Sequence, residues 1–179
     1  MTVASREERK KKVIEVLNKA RSMELQAIHQ YMNQHYNLDD MDYGELAANL
    51  KLIAIDEMRH AEAFAERVKE LGGEPTTELA GPIVKGQDVQ TIFSYDSEQE
   101  VEAVDVYNQF FAVCRENGDS ISARIFETII DEEQEHLNYF DNIGDHLEKL
   151  GNTFLARIAG TSADTGGTTK GFTIKGNAE

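Results

Sequence analysis

Apolar residues recur at helical spacing in four long segments of the chain. The first stripe is Val13, Ile14, Leu17, Ala20, Leu25, Ile28 and Met32, preceded by Ser5-Arg-Glu-Glu8, which has the form of a capping box. The pattern lapses at Asn37-Leu-Asp-Asp40. This predicts a polar turn, with Asp40 or Asp42 capping a second helix. That helix carries Leu46, Leu50, Ile53, Ala61, Phe64, Val68 and Leu71, and Gly72-Gly73 stop it. A second hairpin repeats the plan. Ser97 is its predicted cap, Val104, Tyr107, Phe111 and Cys114 form one stripe, and Asn117-Gly118-Asp119 break it. Ile121, Ile125, Ile129, Leu137, Phe140, Ile143 and Leu147 form the next stripe, which ends at Gly151. Asn152 to Ala159 predict a short fifth helix.

Proline fixes the division between the hairpins. The only two, Pro75 and Pro82, fall between Gly72 and Asp96, and helix interiors exclude proline. Segment 72–96 therefore reads as one long connection. At about 3.3 Å per residue it can run the length of a helical bundle. Val89–Phe93 within it are expected to lie extended or to pair locally. After Gly160 the chain is rich in Ser, Thr and Gly, which predicts a loose tail over 161–179 beyond a helical domain of residues 1–160. The fold class is all-α, a four-helix bundle with one long crossover between helices two and three and a short fifth helix.

Charge narrows the partners. Eighteen Lys and Arg against 33 Asp and Glu leave a net charge of −15, which argues against nucleic acid or an anionic membrane surface and suits cations. The single cysteine, Cys114, can make neither an internal disulfide nor a CxxC knuckle, so the cytoplasm is the expected compartment. Residues 1–12 are charged and read as no signal peptide, and no stretch is apolar enough to span a membrane.

Two Glu-x-x-His motifs carry the chemistry, Glu57-Met-Arg-His60 and Glu133-Gln-Glu-His136. Spacing i, i+3 puts both side chains of each motif on one helix face, within reach of one metal ion. One such motif arises easily by chance. However, Glu24 precedes Glu57 by 33 residues, and Glu100 precedes Glu133 by the same 33. The midpoint of each pair falls at its hairpin turn, so the four glutamates share one depth, about 25 Å from the turns at 1.5 Å per residue. Tyr31 and Tyr107 each stand seven residues beyond a glutamate, near its helix face. Four carboxylates and two imidazoles inside a bundle would cost several kcal/mol each to desolvate. Two divalent cations remove that cost. Oxygen and imidazole donors without thiolate suit iron, manganese or zinc, and a carboxylate-rich pair with open positions favours iron redox chemistry.

Other candidates have plainer readings. His29, His35 and His146 lack a glutamate at matching spacing. Asp131, Glu132 and Glu135 read as solvated face around Glu133, Lys10-Lys11-Lys12 as a solvated helix face, and Cys114 as core. Leu52, Ile55 and Met58 form a second apolar stripe on the second helix, which suggests a partner subunit.

On Glu24, Glu57-Met-Arg-His60, Glu100 and Glu133-Gln-Glu-His136, with the long crossover and short last helix, residues 6–160 resemble a bacterioferritin of the ferritin-like di-iron family, closest to those of anaerobic sulfate-reducing bacteria. Two Glu-x-x-His motifs set it apart from ordinary ferritins, and no C-terminal CxxC pairs link it to rubrerythrin. The resemblance implies a di-iron centre in which Glu24 and His60 hold one iron, Glu100 and His136 the other, and Glu57 and Glu133 bridge. It makes Tyr31 a near-site tyrosine. It makes Met58 the ligand of a haem-type iron porphyrin shared between two subunits across a twofold axis. It further implies a homo-oligomeric hollow shell of twenty-four subunits.

The expected function is ferroxidase activity, Fe(II) oxidised by O2 or H2O2, with storage of the ferric mineral and an electron donor for its release. The alternative is a di-iron oxidase or peroxidase that scavenges oxygen species, with storage secondary. A manganese catalase-like site and a plain structural bundle are further readings, and the last leaves the matched offsets without a cause.

Overall fold

The computed structural model describes residues 5–174. Its elements are α1 (Arg6–Asp40), α2 (Gly44–Glu70), α3 (Val89–Glu116), α4 (Ser120–Leu150) and α5 (Asn152–Ile158). Each hairpin packs mainly within itself, α1 on α2 and α3 on α4, and the two meet through α1–α3 and α2–α4 contacts. The first turn of α1 is closed by the expected capping box. The Glu8 amide donates to Ser5 Oγ at 3.2 Å, and the Ser5 amide donates to Glu8 Oε2 at 2.6 Å. Asp119 caps α4 by accepting from the Ile121 and Ser122 amides, and it also receives both bonds of Arg67 Nη2 at 2.9 Å. That cap pins the end of α2 to the start of α4.

The crossover lies along α1 and in its direction. Asn18 pairs with Glu74 and Thr76, the Ser22 carbonyl accepts from the Ala80 amide, and Gln30 exchanges two bonds with the Val84 backbone. It therefore spans the middle of the bundle before α3 begins, so α3 runs antiparallel to α1.

Three boundaries differ from the sequence reading. The turn predicted at 37–40 is the last turn of α1, and the reversal occurs at Met41–Tyr43, where Asp42 takes φ 68°. Tyr43 precedes α2 without a side-chain cap, so neither Asp40 nor Asp42 caps it. Val89–Phe93 are helical rather than extended, because Val89, Ile92 and Phe93 stand at i, i+3, i+4 and bury together against the α1–α2 end of the bundle. Asp88 is the N-cap position of α3, and Ser97 instead donates to Asp141 Oδ1.

The tail also departs from expectation. Residues 161–163 and 171–173 lie against the bundle. The Glu45 amide donates to Thr161 Oγ1 at 2.8 Å, and the Phe172 amide donates to the Leu52 carbonyl at 3.2 Å. Small residues permit the approach: a Cβ on Gly44 would stand 2.0 Å from the Thr161 carbonyl oxygen. A composition that reads as loose is here what lets backbone meet backbone. Residues 175–179 of the predicted tail, and 1–4 of the charged start, lie outside the described residues.

Two apolar clusters fill the interior. One holds Tyr31, Leu38, Leu46, Leu50, Ile53, Phe93 and Phe140 with α5, and the other Val13, Leu17, Phe64, Tyr107, Phe126 and Ile129. Along every long helix the glutamate of interest sits between a residue of one cluster and a residue of the other. The polar layer is thus sandwiched at mid-bundle.

Candidate metal centre

The structure brings all six predicted donors together. Glu24, Glu57, His60, Glu100, Glu133 and His136 are each no more than 3 % exposed. They form two overlapping groups, Glu24–Glu57–His60–Glu133 and Glu57–Glu100–Glu133–His136, whose donor atoms within a group all lie within 4.8 Å of one another. Glu57 and Glu133 belong to both. Glu57 Oε2 is 3.0 Å from His60 Nδ1, and its Oε1 is 3.2 Å from His136 Nδ1. Glu133 spans the same two rings at 3.3 and 2.9 Å. Glu24 lies 3.8 Å from His60 Nδ1, and Glu100 lies 3.9 Å from His136 Nδ1.

Both tyrosines reach across the bundle instead of along their own helices. Tyr31 donates to Glu100 Oε1 at 2.5 Å, and Tyr107 donates to Glu24 Oε1 at 2.6 Å. Because α1 and α3 run antiparallel, the residue seven beyond one glutamate comes level with the other. Tyr107, which sequence reasoning placed in the core, is thus the counterpart of Tyr31. The matched plus-seven spacing was its signal.

Two further carboxylates meet the outer ring nitrogens. His136 Nε2 lies 3.3 Å from Asp56 Oδ2, and His60 Nε2 lies 3.0 Å from Glu132 Oε2. Each imidazole therefore turns Nδ1 to the cluster and Nε2 to an acceptor, the arrangement that fixes the tautomer of a metal-ligating histidine. Glu132 is half-buried, and so is not the solvated residue expected from its neighbours. Asp56 and Glu132 each adjoin a motif glutamate in sequence, but nothing local marks them. His35 Nδ1 donates to the Ala47 carbonyl, His146 packs on Phe154, and His29 is exposed, so none approaches the cluster. Cys114 is buried, and burial pushes its thiol up to about 12, so it is inert core as expected.

Electrostatics make the cluster a cation site. Burial, then the charges of Glu133 and Glu57, push the Glu24 and Glu100 carboxyls well above the usual range. Burial opposes charge on His60 and His136, yet the surrounding carboxylates overcome it and raise both rings well above the usual imidazole value. Burial also opposes ionisation of Glu133, but the two imidazoles hold it low. Protons thus occupy the positions that cations would take. Glu57 Oε1 is buried and accepts no hydrogen bond, an orphan acceptor that fits a metal ion. Metal ions compete with protons for these side chains, so affinity rises with pH and falls as acid competes. Titrating metal-free protein with Co²⁺ in weak buffer is expected to acidify the solution. An affinity independent of pH would contradict this arrangement.

The cluster opens between α1 and α3 into a cleft of about 600 Å³, lined by Glu24, Glu57, Glu100 and Glu133 with both tyrosines. A second hollow of about 490 Å³ lies on the α2–α4 side, beside His60 and Glu132. Met58 stands apart from both, 55 % exposed, near half-buried Leu52 and Ile55.

A four-helix bundle with a mid-level cage of four carboxylates and two imidazoles fits the carboxylate-bundle class of metal site. The ferritin-like domain family matches residues 14–150. The chain is 66 % identical over 168 residues to the bacterioferritin of Desulfovibrio desulfuricans, covering 94 % of each, and 36 % identical over 141 residues to that of Streptomyces coelicolor, covering 79 % of this chain and 84 % of the relative. A crystal structure of the D. desulfuricans bacterioferritin, described with its di-iron site in different catalytic states, superposes with a TM-score of 0.92 at 65 % identity, over 95 % of this chain and 99 % of that one. The Mycobacterium tuberculosis bacterioferritin BfrA gives 0.78 at 32 % identity, over 82 % and 93 %. The chain belongs to the ferritin family and, within it, to the bacterioferritins.

Proposed function

We propose that this chain stores iron and oxidises Fe(II) at the six-residue centre. The observation that carries the reading is the pair of buried ligand sets sharing Glu57 and Glu133. The di-iron site described for the D. desulfuricans relative supports it. Glu24 and His60 would hold one iron and Glu100 and His136 the other, with Glu57 and Glu133 available to both. Iron bound there supplies the redox chemistry by which O2 or H2O2 takes electrons.

The chain's own residues do the rest. Net charge −15 and a carboxylate-lined cleft concentrate Fe(II) at the α1–α3 opening. Tyr31 and Tyr107 each hold one oxygen of Glu100 and Glu24. Burial keeps both phenols protonated, with the carboxylates adding to the effect, so each remains a donor. The two aromatic layers keep water out from above and below. Ferric product moves to the interior of a shell of twenty-four subunits built from twofold dimers. The free, buried Cys114 suits a reducing cytoplasm. No helix among the described residues is long and apolar enough to cross a membrane.

Met58 fits a haem-type porphyrin. Its exposed thioether lies on an apolar patch with Leu52 and Ile55, away from the carboxylate cage, where a second copy can present the same face. A porphyrin held there by Met58 would supply electron transfer for release of stored iron. Met58→Leu is expected to give chains that fold and bind the two metals but purify without the haem absorption band. Retention of that band would remove Met58 from this role.

The test of the main reading is Fe(II) added to metal-free protein, followed by O2 or H2O2. Ferric absorbance should grow, and the iron should travel with the protein on gel filtration. Oxidant consumed without retained iron would favour scavenging over storage.

A further inference from the structure

The C-terminal strap ends on the metal centre. Phe172 stacks between His136 and Tyr139, with ring centroids at 6.2 and 5.0 Å. Thr173 then touches both outer carboxylates at once. Its amide donates to Asp56 Oδ2 at 2.8 Å, the oxygen that faces His136 Nε2. Its hydroxyl donates to Glu132 Oε2 at 3.2 Å, the oxygen that faces His60 Nε2. One residue, 117 positions from Asp56 and 41 from Glu132, thereby links the supports of the two histidines. The approach needs glycine at 171, where a Cβ would lie 1.7 Å from Asp56 Oδ1. Further ties are the Phe172 amide on the Leu52 carbonyl and, upstream, the Gly160 amide on the Asp42 carbonyl and the Glu45 amide on Thr161 Oγ1. Composition alone gives this segment no reason to order, yet it is Gly171, Phe172 and Thr173 that meet the site.

We infer that the strap Gly171–Thr173 is a positioning element of the metal centre, with Thr173 fixing Asp56 and Glu132 so that His136 and His60 both present Nδ1 to the metals. The inference rests on the metal-centre reading above. Its physical content is orientation. A ligating imidazole whose second nitrogen loses its oriented acceptor binds metal about 10–100-fold more weakly. Without the strap, Asp56 keeps Arg59 at 3.0 Å, but Glu132 keeps only His60 as a hydrogen-bond partner among the described residues. The His60 half of the centre is therefore the more dependent on Thr173.

The test uses the assembled, metal-free protein, titrated anaerobically with Co²⁺ and followed by the visible bands of the bound ion. Wild-type protein should bind two Co²⁺ per chain. Thr173→Val, which keeps the shape and removes the hydroxyl, should weaken one of the two by about 10-fold or more and alter its bands. Thr173→Ser should restore both affinity and spectrum. Gly171→Ala, which forces Asp56 aside, should weaken the other. Circular dichroism and sedimentation establish that each variant is folded and assembled, and the Val/Ser pair decides the matter even where the Ala variant does not assemble. Equal binding by wild type, Val and Ser variants overturns the strap's role, and so does equal weakening of Val and Ser. Wild-type protein that binds fewer than two Co²⁺ overturns the metal-centre reading, and the inference with it.

Discussion

Chains carrying Glu57→Ala together with His136→Ala are expected to lose rapid Fe(II) oxidation. Glu57 is the carboxylate whose two oxygens face the two imidazoles, at 3.0 and 3.2 Å. Removing it with His136 leaves one half-centre with only Glu100 and Glu133 and the other with one shared carboxylate, Glu133, in place of two. Loss of an outer hydrogen bond alone costs about 10–100-fold at a metal site, so losing two direct donors should slow the initial rate by at least about 100-fold. The double change is the cleaner experiment. Each residue is a partner of the other, and taking one away strands a buried ionisable group, which destabilises by about 3–5 kcal/mol. Stopped-flow ferric absorbance on folded, assembled variant shells measures the effect. An undiminished initial rate would exclude this centre as the place of oxidation.

The second large effect concerns stability. In metal-free protein the four carboxylates share buried space with the imidazoles, two tyrosine hydroxyls and protons to offset them, and burial already drives Glu24 and Glu100 toward the neutral form. Metal ions bind the folded arrangement and not the unfolded chain. Each site at free metal about 1,000 times its dissociation constant adds about 4 kcal/mol, and for a chain of this length each kcal/mol raises the melting temperature by roughly 2–4 °C. Two filled sites should therefore raise it by roughly 15–30 °C over protein kept in chelator. Melting followed by circular dichroism, with chelator and then with excess Co²⁺, checks this. The Glu57→Ala, His136→Ala chain should lose most of the rise. A melting temperature indifferent to metal would mean that the cage is satisfied without ions.

Much of the centre was legible because its arithmetic is local. Positions i and i+3 share a helix face whatever the helix packs against. Residues equidistant from a turn come level in any antiparallel hairpin. The glycines and the two prolines marked where the hairpins end, so Glu24, Glu57, His60, Glu100, Glu133 and His136 could be placed at one depth before any coordinates. The start of α3 was less legible. Val89–Phe93 carry β-branched and aromatic residues beside a glycine-containing loop, and their helical spacing is realised by burial of Val89, Ile92 and Phe93 in the cluster that also holds Leu38 and Leu46. The tail was misread for a related reason: Ser, Thr and Gly signal looseness unless a groove of matching shape and hydrogen-bonding groups awaits them, as Gly44 and Asp56 provide.

The sequence by itself determined the four-helix plan, the long crossover, the donor set and its depth, because these follow from helical periodicity and from the symmetry of two like hairpins. Only the tertiary structure decided that Tyr31 serves Glu100 and Tyr107 serves Glu24, that Asp56 and Glu132 stand behind the histidines, and that Thr173 joins them. Those contacts join residues 41 to 117 positions apart. They depend on the direction and rotation of one helix against another, which the packing of Phe64, Phe126, Phe93 and Phe140 sets and no single segment encodes.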